Sequence, residues 1–150
     1  MPRQITLFIK AVVPANHPAN VPVSAQLSVD GIKYEDAKTT PVSKVWIIDD
    51  LYIVGTPGVD GHLVIKKEDN PKITTPPISA LSASNPTRPT IDALMVGQGE
   101  KLSVDFIPAV SPASDTTVVV YARVVEYDLS NPDDIMDLEE ELGFLEEEVM

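Results

Sequence analysis

The residues with most chemical potential are an adjacent carboxylate pair, Asp49-Asp50, inside the apolar stretch KVWIIDDLYIV at 44–54. Two carboxylates held together could bind a cation or divide the roles of general acid and general base. Successive residues of a strand point to opposite faces, however, so the pair is expected as a turn, with 45–48 and 51–54 forming the arms of a hairpin. The two histidines, His17 and His62, come from unrelated segments, one between prolines in a loop and one at a strand start. No His-x-x-x-His spacing exists, so neither a metal centre nor a histidine base is expected. The glycines of GTPGVDG at 55–61 have no Lys-Ser or Lys-Thr behind them and fail as a phosphate loop. With no Cys, the chain has no disulfide, thiolate ligand or thiol nucleophile. These residue types point away from an enzyme and imply no cofactor and no metal.

The second patterned stretch is residues 131–150. Asn131 can cap a helix, Pro132 suits its first position, and Asp133 and Asp134 stand where the helix dipole favours negative charge. Ile135, Leu138, Leu142, Leu145 and Val149 then recur at alternating spacings of three and four, which places them along one stripe. The rest is nearly all acidic. A parallel coiled coil is disfavoured, because Glu139, Glu141, Glu146 and Glu148 would face one another at the flanking positions. Gly143 costs the helix roughly 1 kcal/mol against Ala, and a lone helix of this length is marginal in water. The helix is therefore expected to form on a surface, and the five apolar residues are candidate partner-docking residues.

Charge separates this segment from the rest. All eleven Lys and Arg stand at or before Arg123, opposite twelve acids, so residues 1–123 carry a net charge of −1; eleven acids and no base follow, completing the −12 of the chain. An acidic segment of this kind argues against direct nucleic-acid binding and for a basic or polar-apolar partner surface. No apolar run approaches the roughly 18 residues of a membrane span. Residues 1–10 alternate and lack the continuous apolar region of a secretion signal, so the chain is expected to stay where it is made, in the cytoplasm, or to leave by a route not encoded at its N-terminus.

The elements that must position these residues read as strands between prolines, which number 14 in 150 residues and fall mostly at segment edges. Strands are expected at 4–13, at 21–29 with Val21, Val23, Ala25, Leu27 and Val29 alternating, and, after an Asp30-Gly31 hairpin turn, at 32–38. Further strands follow at 62–67, 91–96, 101–107 and 116–127. Residues 70–89 read as a long proline-rich excursion, a second candidate contact surface. About nine strands without intervening helices predict an all-β antiparallel Greek-key sandwich, jelly-roll-like, over 1–128, followed by an acidic amphipathic helical tail at 129–150.

Alternating long loops and short hairpins, no cysteine, no secretion signal and a charged terminal arm give residues 4–127 an architecture that resembles the single jelly-roll structural proteins of viral capsids and shell decorations. That resemblance implies a non-enzymatic assembly subunit, a homo-oligomer or part of a larger shell, docking on neighbours through its C-terminal helix. The alternative is a ligand-binding sandwich that holds carbohydrate by stacking aromatic rings. It requires several exposed rings, whereas the chain has one Trp, four Tyr and three Phe, several at buried phases of the alternation.

Overall fold

The computed structural model describes residues 2–31, 33–55, 59–75, 78–81, 88–89 and 91–149, with side chains for all of these except 59, 78–81 and 143–149. The strands are β1 (Arg3–Val13), β2 (Val23–Ser24), β3 (Gln26–Val29), β4 (Lys38–Thr39), β5 (Lys44–Gly55), β6 (Val59–Lys67), β7 (Asn70–Thr74), β8 (Ile78–Leu81), β9 (Leu94–Val96), β10 (Lys101–Pro108) and β11 (Thr116–Asp128). One helix follows, α1 (Pro132–Val149). The first sheet runs β3-β1-β11-β5-β9; the second runs β2-β10-β6-β7, with β4 also on β10 and β8 on β6. The described pairings are antiparallel. β5 pairs with β11 in one sheet while β6 pairs with β10 in the other, so two strand pairs wind together across the sandwich. The all-β sandwich with a C-terminal helix is the fold expected.

Period-two alternation builds the core. Leu7, Ile9, Leu51, Ile53, Val120 and Val124 from the first sheet meet Leu63, Ile65, Leu102, Val104 and Phe106 from the second, all essentially without solvent contact. Burying each large aliphatic side chain contributes about 1.5–3 kcal/mol, which makes this layer the main source of cohesion. Trp46 lies in the same layer, and its indole N–H donates to Glu126 at 2.8 Å, satisfying the polar atom that burial would otherwise strand.

Four expectations are corrected. Residues 45–54 are not a hairpin: β5 is one strand of 12 residues, and Asp49-Asp50 lies within it at a register shift against β11. Val21–Val29 is not one strand either, because the chain changes sheets at Ala25, whose N–H donates across to Val104 while β2 pairs β10 and β3 pairs β1. After the Asp30-Gly31 turn, where both residues have the positive φ a tight hairpin needs (55° and 78°), the described residues of the return arm form a Leu27–Glu35 bridge and β4. The described residues of the proline-rich excursion include two strands, β7 and β8. β7 turns back on β6 through Glu68 and Asp69, both at positive φ, and Pro71 is accommodated where the ladder shifts register.

The outer face of the first sheet carries a second apolar cluster of Val45, Ile47, Tyr127 and Leu138, with Val125, Met95, Leu129 and Leu142 around it. α1 covers that end of the sheet. Its start is fastened as the sequence implies: the Asn131 side chain accepts from the Asp133 N–H at 2.9 Å, and the Ile135 N–H closes the first turn on the Asn131 carbonyl. Asp134 accepts from the Asp128 N–H, and Asp128 accepts from Ser130 and pairs with Lys44, so strand end and helix start share one polar knot.

Candidate functional site

Beyond the helix, no described helix or strand covers the outer face of the first sheet, and the register of three strands decides what meets there. Phe8 stands opposite Tyr121, and Tyr121 opposite Tyr52, giving one row of rings across β1, β11 and β5. The neighbouring row is Thr6, Arg123 and Asp50. Phe8 packs edge-on against Tyr121 with centroids 5.3 Å apart and planes at 76°, an arrangement favoured by the ring quadrupoles. Tyr52 lies 6.2 Å from Tyr121, tilted by 46°.

The carboxylate pair acquires its geometry from a β-bulge. Ile48 stands opposite Val124 and Asp50 opposite Arg123, which leaves Asp49 as the extra residue. Ile48 and Leu51 both point into the core, so the two residues between them both face outward. A strand without a bulge could not place them so. Asp49 receives a bidentate pair of hydrogen bonds from Arg123 Nε and Nη2, both 2.8 Å. Those bonds raise the Arg123 guanidinium above its ordinary pKa and keep it charged. Asp50 pairs with Arg88 at 3.5 Å, and the Arg88 guanidinium sits 5.4 Å from the centre of the Tyr52 ring.

Between the two rows lies a slot of about 300 Å³ lined by Thr6, Asp50, Tyr52, Arg88, Tyr121, Ala122 and Arg123. One side is aromatic and the other carries hydrogen-bond donors and acceptors. Tyr121 is 40% exposed within it. Of the residues lining the slot, Asp50 pairs with Arg88, while Arg123 is paired with the neighbouring Asp49, so charged donors and acceptors stand side by side.

The stripe residues divide. Leu138 is only 7% exposed and, with the half-buried Leu142, packs on the chain's own sheet; Ile135 is half-buried in the first turns of α1. The side chains of Leu145 and Val149 lie outside the described residues. His17 donates to the Val21 carbonyl at 2.9 Å, and His62 sits in the β6–β10 ladder opposite Ile107. Among the described residues, no three His, Cys, Asp or Glu side chains are gathered to hold a metal ion, and no helix is long and apolar enough to cross a membrane. The aromatic row was missed by sequence reasoning. Its only signal was the outward phase of Phe8, Tyr52 and Tyr121 in their strands, and phase does not say which strands are neighbours.

No known protein family matches the chain, and no curated protein does. Solved structures similar to it include two β-sandwiches. The crystal structure of murine APRIL at pH 5.0 has 10% identity and a TM-score of 0.39, covering 79% of this chain and 98% of that one. The N-terminal cellulose-binding domain from Cellulomonas fimi β-1,4-glucanase C has 8% identity and a TM-score of 0.33, covering 79% and 88%.

Proposed function

We propose that this chain is a non-enzymatic structural protein that assembles through the ends of its sandwich, as a subunit of a viral shell or a comparable oligomeric assembly. The observation that carries this reading is the placement of exposed apolar side chains at both ends of the molecule. At one end, Val21 (43% exposed) and Val110 (47%) sit on loops tied together by hydrogen bonds from Asn20 to Pro108 and from Asn16 to Pro112. At the other, Val42 (82%) and Met136 (62%) flank the strand-to-helix corner, where the Leu129 N–H donates to Ser43. β11 runs between these ends, roughly 40 Å at about 3.3 Å per residue. Single exposed valines are ordinary, but a ligand-binding module needs one working surface and a shell subunit needs at least two.

The viral-shell part of the reading rests on the jelly-roll-like architecture of residues 4–127. Native mass measurement tests it: the protein is expected well above its 16.2 kDa monomer mass at micromolar concentration. Val42→Asp with Met136→Asp, and separately Val21→Asp with Val110→Asp, should each reduce that mass. A monodisperse wild-type monomer overturns the proposal. One observation, the slot beside Tyr121, favours a second reading, a sandwich that holds carbohydrate, and the two are compatible because they use different surfaces.

A further inference from the structure

We infer that the slot beside Tyr121 binds a neutral saccharide, one or two sugar rings of a chain, an inference that rests on the carbohydrate-holding reading and specifies its site and ligand. A pyranose ring is amphipathic: its C–H faces are apolar and its rim carries hydroxyls that both donate and accept. The slot has the same division. Tyr52 and Tyr121 supply an aromatic side, and Phe8, packed edge-on at 5.3 Å, props the Tyr121 ring in place. Across from them Arg123 and Asp50 place donors and acceptors side by side, with Thr6 beside them and Arg88 over the Tyr52 ring. The volume of about 300 Å³ lies at the small end of ligand clefts.

Charge selects between ligand classes. Two guanidiniums, Arg88 and Arg123, would suit a phosphate or carboxylate if they were unpaired. Here Arg123 is held at both Asp49 oxygens and Arg88 is paired with Asp50, so the four groups sum to zero and an anion would have to displace a carboxylate already in place. A neutral hydroxyl needs no such displacement. A guanidinium carries five N–H donors and a carboxylate about four acceptor positions, so each paired group retains capacity for a hydroxyl. The ring tilts of 46° and 76° make no flat platform, which excludes a crystalline polysaccharide surface and suits a single chain entering sideways.

The test uses the full chain and soluble tetrasaccharides of glucose, xylose, mannose and N-acetylglucosamine, with tetragalacturonate as the anionic probe, titrated calorimetrically. At least one neutral probe is expected to bind. Tyr121→Ala should then lower its affinity tenfold or more, while Tyr121→Phe, which keeps the ring, should stay within threefold. Tyr121→Phe keeps the ring contacts and should keep the wild-type melting profile, whereas Tyr121→Ala gives up the edge-on contact with Phe8 and should melt somewhat lower while staying fully folded at the titration temperature. If a neutral probe binds and Tyr121→Ala leaves its affinity unchanged, the slot assignment is overturned and the carbohydrate reading survives elsewhere on the surface. Binding of tetragalacturonate alone overturns the charge argument. If no probe binds, the carbohydrate reading falls and the slot assignment with it.

Discussion

Deleting Asp49 alone should be tolerated and deleting Asp49 together with Asp50 should not, the reverse of an unbulged strand, where removing two residues keeps the alternation and removing one inverts it. The single deletion removes the bulge and leaves the register intact, since Ile48 already faces Val124 and Asp50 already faces Arg123. Ile48 stays inside, Asp50 outside and Leu51 inside. What is lost is the Asp49–Arg123 pair, whose arginine side chain is 49% exposed; such pairs contribute about 0–1 kcal/mol. The double deletion joins Ile48 directly to Leu51, and strand alternation then turns Leu51 and Ile53 outward and Tyr52 and Val54 inward. Leu51 and Ile53 are both 0% exposed. Exposing two such side chains costs about 3–6 kcal/mol, before any clash from Tyr52, against a total stability of ~5–15 kcal/mol. Thermal melts followed by circular dichroism, with proton–nitrogen spectra as a fold check, separate the cases. The single deletion should melt within about 4 °C of wild type, and the double deletion should be unfolded or lowered by more than about 8 °C. Equal losses in the two variants would refute the bulge.

Leu138→Ala should destabilise by about 2–3 kcal/mol, the lower part of the range for buried leucines because the site lies at a surface edge, while Met136→Ala, 62% exposed, stays within ~0.5 kcal/mol. Urea unfolding and amide exchange of α1 measure both, and equal stability of the two variants would mean that α1 is not held through Leu138. Acid should loosen the strand-to-helix corner: hydrogen bonds from Ser130 and then Lys44 hold the Asp128 carboxyl at about 2 against an ordinary 3.8. A carboxyl depressed in the folded state stabilises above its unfolded pKa and loses that contribution as pH falls, here between about 4 and about 2. Ser130→Ala should show a shallower loss across that window in pH-dependent melts, and an unchanged slope would remove Asp128 from the account.

Much of the fold was legible because burial imposes a local period. In β10, Leu102, Val104 and Phe106 are buried and Ser103 and Asp105 between them are half-exposed, as the alternation implies. The Asn131 cap was legible for the same reason: its hydrogen bond to the Asp133 N–H spans two residues. The turn expected at Asp49-Asp50 shows where local reasoning ends. Two polar residues between apolar runs give one signal for a hairpin tip and for a bulge, and only the unbroken ladder with β11 separates them. The Ala25 crossing was hidden likewise, since 21–29 alternates continuously while its two halves pair with different sheets.

By itself the sequence determined most strand phases, the acidic helix and its start, and the absence of any thiol. The tertiary structure decided which outward residues meet: Arg123 and Asp49 are 74 residues apart, and Phe8, Tyr121 and Tyr52 form a row only through the order β1-β11-β5. Alternation is set within a few residues by burial of one face, whereas register is set by the packing of whole strands, so a site built across strands has no local signature.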